Sequence, residues 1–183
     1  PGAGVVALNK RTGDTVWVTS GLSDGASYCS PVVAKHNSRA ILLTATAKLA
    51  VGIDADSGAL LWTRDYPNVY DVHAAMPIYD NGRVYLSGGE GSGGGLLELS
   101  TDGSAATLKW PDTGLDCQHH GVVLVDGYLY GTSDTRGELL CVEMATGNVI
   151  WRTKEVRQGT IVCADGMLYI YEGPKTGVVS LVK

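Results

Sequence analysis

Four tryptophans close four versions of one phrase, and no other feature of the chain restricts its fold so tightly. VVALNKRTGDTVW ends at Trp17, AVGIDADSGALLW at Trp62, LLELSTDGSAATLKW at Trp110 and LLCVEMATGNVIW at Trp151, so the indoles fall 45, 48 and 41 residues apart. A fifth version begins as VVSLVK and reaches Lys183. Measured at the residue that opens each motif (Ala7, Gly52, Leu97, Cys141, Ser180), the spacing is 45, 45, 44 and 39. A period of that length marks one supersecondary unit copied along the chain, each copy burying a face on the next.

Inside each unit the apolar residues alternate in short runs broken by turn dipeptides. HGVVLVDGYLYGTS reads as two strands about Asp126-Gly127, TIVCADGMLYIYE as two about Asp165-Gly166, and AAMPIYDNGRVYLSG as two about Asn81-Gly82. Asn-Gly and Asp-Gly accept the positive φ of tight hairpins. A third turn (RTGD, DSGA, ATGN) precedes the strand that ends in tryptophan. Four antiparallel strands per unit, repeated, predict β-propeller blades around a central channel.

The repeated positions Ala7, Asn9, Thr12, Gly13 and Trp17, then Gly52, Asp54, Ser57, Gly58 and Trp62, then Cys141, Glu143, Thr146, Gly147 and Trp151, resemble the tryptophan-docking motif of pyrroloquinoline-quinone-like (PQQ-like) propeller repeats. The Trp110 copy carries extra residues between Gly103 and Trp110. The resemblance covers nearly the whole chain, residues 1–183, and assigns Trp17, Trp62, Trp110 and Trp151 to contacts between blades. An outer strand pair is expected at 5–17, blades at about 27–62, 73–110 and 118–151, and a partial blade at 158–183. Rings of this family usually have about eight blades, so the expectation is a fragment, about half of a ring, completed by the remainder of the ring or by a second chain. A closed ring of four blades is the weaker alternative, because VVALNK and VVSLVK would compete for one position.

Composition agrees and excludes some partners. Twenty-five glycines, nine tyrosines, four tryptophans and no phenylalanine suit short strands and tight turns. Fourteen basic against nineteen acidic residues give a net charge of −5. Nothing positive is there to draw a nucleic-acid backbone or an anionic membrane. No apolar run approaches the ~18 residues of a spanning helix, and PGAGVVALNK lacks the basic, apolar, small-residue pattern expected of a signal segment. Cys29, Cys117, Cys141 and Cys163 match no CxxC zinc spacing. Periplasmic or secreted location follows from the resemblance alone.

Residues 116–121, DCQHHG, concentrate an acid, a thiol and two imidazoles in the loop that leads into VVLV. In a propeller such loops surround the channel mouth, where the family's active sites are found. Asp71, Asp116 and Glu155 each stand six residues before the start of an inner strand, and Asp24 close to the same place. These four carboxylates are therefore candidates for an acidic collar, with His73, Cys117, His119 and His120 nearby; as turn-forming loop residues they need no such role. Adjacent residues of an extended segment point to opposite faces, so His119 and His120 are not expected to share one ion. No metal site is assigned. Cys117 is read as a small buried side chain in preference to a thiolate nucleophile.

GGEGSGGG holds Gly89, Gly91 and Gly94 at GxGxxG spacing, but it leads into the strand LLELS, whereas a dinucleotide site needs a helix N-terminus there. The leading functional reading is a non-catalytic binding or scaffold module that offers its mouth to a protein, peptide or glycan, with no cofactor. The alternative is half of a quinone-dependent alcohol or sugar dehydrogenase with PQQ and calcium. Dehydrogenases of that kind commonly carry adjacent cysteines, which this chain lacks. Assignment of the tryptophans to buried contacts predicts that Trp62→Ala lowers unfolding free energy by about 3–5 kcal/mol in urea titrations.

Overall fold

A computed structural model describes residues 4–173 and 177–183 and contains strands and turns but no helix. Strands β1 (Val6–Leu8) and β2 (Thr15–Val18) form an outer pair. Three four-stranded antiparallel sheets follow in simple up-and-down order. The first holds β3 (Val32–His36), β4 (Arg39–Ala45), β5 (Leu49–Asp54) and β6 (Leu60–Asp65). The second holds β7 (Ile78–Asp80), β8 (Arg83–Ser87), β9 (Gly94–Leu99) and β10 (Ala106–Asp112). The third holds β11 (Val122–Val125), β12 (Tyr128–Thr132), β13 (Leu139–Glu143) and β14 (Val149–Thr153). A three-stranded sheet of β15 (Gly159–Ala164), β16 (Met167–Glu172) and β17 (Val179–Val182) ends the chain.

The inner strand β11 lies beside both β7 and β15, which puts the first strand of each sheet toward a common axis. Apolar cores fill the spaces between successive sheets. Ile41, Leu43, Leu86 and Leu97 share one such core, and Tyr85, Leu96, Leu129 and Leu140 the next. The arrangement is open: among the described residues the β1–β2 pair and the β15–β17 sheet are not hydrogen-bonded to each other. Val6, Leu8, Val16 and Val18 at one end, and Val162, Val179 and Leu181 at the other, are exposed.

A β-bulge recurs immediately before every tryptophan. Ala7 pairs with Trp17 but Leu8 with Thr15, so Val16 is the extra residue; Leu61, Lys109 and Ile150 are extra in the same way. Bulges bend a strand and re-aim its side chains. The extra residues of the third copy move its register by one, so Trp110 faces Leu96, whereas Trp17, Trp62 and Trp151 face Ala7, Gly52 and Cys141.

Two of the indoles reach the next sheet by the same contact. Trp17 Nε1 donates to the carbonyl of Ala55 (3.0 Å), and Trp110 Nε1 to that of Met144 (3.2 Å). Each ring lies on the glycine of the turn beyond, Gly58 or Gly147, at φ of +76° and +78°. The equivalent acceptor for Trp62 is the carbonyl of Ser100, but His36 Nε2 occupies it at 2.8 Å. Trp62 instead lies across Gly52 of its own sheet, where a Cβ would collide with the indole, and its Nε1 has no partner. It remains buried in the core between the first and second full sheets. Ile41 and His36 fill the space over Gly103 that an indole fills over Gly58 and Gly147. Tyr79 Oη meets His36 Nδ1 at 3.0 Å and completes this imidazole version of the contact. Trp151 is 36 % exposed and lies near Tyr130, with ring centroids 6.0 Å apart.

A Cβ added to Gly147 would sit 2.8 Å from the Trp110 ring, whereas one added to Gly127, at φ +85°, meets nothing within 4 Å. Gly147→Ala is therefore expected to destabilise by about 2 kcal/mol or more through strain and displacement of the indole, and Gly127→Ala by about 1 kcal/mol through strain alone, measured by urea unfolding.

Candidate functional site

The mouth face is built from the loops that lead into β3, β7, β11 and β15 and those joining the second and third strands of each sheet. Turn chemistry shapes them. Asp71, Glu90 and Asp116 are held at positive φ (+56°, +55° and +36°), in the region that Asp enters more readily than most residues.

Asp24 and Asp116 do the same job one repeat-pair apart. The Asp24 carboxylate accepts from Thr46 Oγ1 (2.6 Å), the Lys48 amide (2.8 Å) and the Gly25 amide (2.8 Å), tying the loop before β3 to the β4–β5 loop. Asp116, fully buried, accepts from Thr135 Oγ1 (3.0 Å) and from the amides of Gly91 (3.0 Å) and Gly93 (3.2 Å). It thereby joins the β8–β9 and β12–β13 loops. Asp71 and Glu155 stay exposed; Asp71 lies 3.7 Å from Lys48 Nζ. Of the four proposed collar carboxylates, two are thus committed to clamping loops and two face solvent. Among the described residues no three His, Cys, Asp or Glu side chains are placed to hold a metal ion.

The imidazoles part company. His73 is buried, stacked on Tyr66 with ring centroids 4.3 Å apart, and neither ring nitrogen has a partner. Burial holds its pKa below the ordinary histidine range, so the ring is neutral. His119 and His120 depart from the sequence expectation of opposite faces: their rings stack, with centroids 4.5 Å apart and planes 18° from parallel. The reason is local. Residues 118–120 form a bend before Gly121 at φ +79°, so the extended geometry behind the expectation is absent. The lone pairs of imidazole lie in the ring plane, and two nearly parallel stacked planes do not meet at one ion. His120 is buried; its pKa is lowered by burial and by His119.

Cys117 is buried, with its thiol donating to the Thr132 carbonyl (2.8 Å) and its amide to Ser87 Oγ (2.7 Å). Burial and the carboxylates of Asp112 and Asp116 push this thiol far up, which opposes a thiolate at neutral pH. The GGEGSGGG loop spends its amides internally: Gly91 and Gly93 donate to Asp116, and Glu90 to Asp134 Oδ2 (3.2 Å). It runs into β9.

Several mouth residues carry no motif and were not legible as such. Tyr28 is 77 % exposed, Val69 71 %, Tyr70 65 % and Met76 58 %. The two loops that carry them touch: the Tyr28 amide donates to the His73 carbonyl (3.0 Å), and Cys29 Sγ to that of Ala75 (3.4 Å). Asp134 also was missed; it accepts from Glu90 N and from Gln158 Nε2 across three successive sheets' loops. A tyrosine between turn residues offers no periodic signal, and contacts between copies are invisible to spacing.

Partial desolvation opposes ionisation of Asp24, but the Thr46 hydroxyl and the Lys48 and Gly25 amides outweigh it and hold the carboxyl below its usual range. A depressed folded-state pKa contributes stability above the unfolded value near pH 4 and loses it as pH falls through the folded value. Asp24→Asn is therefore expected to be less stable than the parent at pH 7 in urea titrations, with the gap shrinking below about pH 4.

The family profile described as outer membrane protein assembly factor BamB matches residues 1–153. The solved BamB of Moraxella catarrhalis superposes with a TM-score of 0.69 at 16 % identity, over 97 % of this chain and 54 % of that one. Quinohemoprotein alcohol dehydrogenase of Comamonas testosteroni gives 0.60 at 12 % identity, over 93 % of this chain and 37 % of that one. The computationally designed Ika4 protein gives 0.61 at 13 % identity, over 86 % and 90 %. At these identities the likeness concerns the fold, and the chain spans about half the length of the solved BamB. No curated protein matches.

Proposed function

Because the chain belongs to the family of the outer membrane protein assembly factor BamB, we propose that it is a non-catalytic propeller module whose mouth face holds an extended peptide segment of a partner protein. The observation that carries this reading is a division of labour among the mouth side chains. Asp24, Asp116 and Asp134 are engaged in bonds between loops, Cys117 is a buried thiol and His73 a buried neutral ring. What faces outward in the neighbouring loops is aromatic and aliphatic: Tyr28, Val69, Tyr70 and Met76. Aromatic rings with apolar neighbours are the usual anchors of protein recognition. Family membership supports a protein partner and a periplasmic or extracellular setting. No helix among the described residues is long and apolar enough to cross a membrane.

The exposed apolar residues of the terminal sheets are of the kind buried between inner sheets, which supports further blades, of the same or a second chain, as structural partners. The quinone-dehydrogenase alternative fits these residues poorly. Calcium would need free carboxylate oxygens, and those of Asp116 already face two amides and a hydroxyl.

Panning random dodecapeptides displayed on phage against the immobilised chain tests the reading. Enrichment of an apolar consensus, with binding weakened at least about tenfold by Tyr28→Ser/Tyr70→Ser, is expected. No enrichment, binding indifferent to that variant, or alcohol turnover with added PQQ and calcium would overturn it.

A further inference from the structure

Gly89, Glu90 and Gly91 follow one another at φ of +71°, +55° and +74°. Glycine tolerates this region, whereas glutamate is strained there, at a cost of about 1 kcal/mol. The curl brings Gly89 against Gln118 so closely that a Cβ at position 89 would collide with that side chain. It also places Glu90 Oε1 2.8 Å from Gln118 Nε2. A carboxylate only accepts, so the Gln118 amide group points its NH2 at Glu90 and its carbonyl oxygen away. That oxygen lies 3.0 Å from His119 Nδ1. A carbonyl also only accepts, so Nδ1 carries the proton and, in the neutral ring, Nε2 is a bare lone pair.

The state is held from several sides. Glu90 is itself anchored through its amide to Asp134, and the His120 ring lies stacked beside that of His119. His119 is exposed. It lies in the loop leading into β11, as Tyr28 lies in the loop leading into β3 and Val69, Tyr70 and Met76 in the loop leading into β7. An exposed imidazole with a specified tautomer, on the face that carries the apolar anchors, offers a ligand one directed acceptor.

We propose that His119 is the hydrogen-bond acceptor of the mouth, its Nε2 taking a backbone N–H from an extended peptide whose apolar side chains lie on Tyr28, Val69, Tyr70 and Met76. The inference rests on the peptide-binding reading above and names a specificity-determining atom within it. An extended segment suits the site because its outward N–H groups are unpaired and its alternate side chains can reach the apolar residues. An ionised carboxylate would bring only lone pairs to a lone pair.

Two measurements test it. Long-range 1H–15N NMR of the labelled chain reads the tautomer with no partner present: His119 is expected as Nδ1–H, shifting toward Nε2–H in Gln118→Leu. Isothermal titration with the panned dodecapeptides is expected to show His119→Phe about tenfold weaker than the parent, with His119→Gln, which retains a carbonyl acceptor, between them. An Nε2–H tautomer in the parent, or a panned peptide bound equally by His119→Phe, overturns this inference and leaves the peptide-binding reading standing. A panning that returns no peptide overturns both.

Discussion

The structure depends on a donor from one sheet reaching a backbone carbonyl at the turn of the next. An indole N–H does this from Trp17 to Ala55 and from Trp110 to Met144, and an imidazole N–H does it from His36 to Ser100. A blade covers its own hydrogen bonds but not its faces, so its stability lies in the apolar surface it shares with a neighbour. The directed bond sets the register of that shared surface, because the carbonyl it meets is one particular peptide group beside one particular glycine. The bulge before each tryptophan is the local device that re-aims the ring.

The junction held by His36 shows how the same end is reached with different residues. Gly52 has no Cβ, so Trp62 can lie flat on its own sheet and fill core volume while its N–H goes unpartnered. The vacated acceptor is taken by an imidazole from the end of β3, supported by the Tyr79 hydroxyl. Volume and donor are separable requirements: here one side chain supplies the first and another the second.

At the mouth, carboxylates take the place of the indoles. Asp24 and Asp116 gather amides and hydroxyls from neighbouring loops, so charges that spacing alone offers as a ligand collar serve the scaffold. With those loops fixed, the exposed tyrosines and His119 are presented from a rigid frame. That is a sound basis for recognition, because less ordering remains for a ligand to impose.

The repeat, the all-β class and the strand and turn positions were legible from the residues, because each depends on local rules: alternation, Asn-Gly and Asp-Gly turns, and a period near 45. DCQHHG was legible only as a concentration of chemistry. That His119 and His120 stack, that Asp116 is a clamp and that Cys117 is a protected thiol were decided by the tertiary structure, since each depends on a loop from another copy arriving at the site. The same holds for Trp62, whose spacing is that of its siblings but whose contact is set by a glycine across the hairpin and a histidine from another strand. Periodicity determines what every copy shares; what distinguishes one copy from another is a contact between residues far apart in the chain, and only folding brings those together.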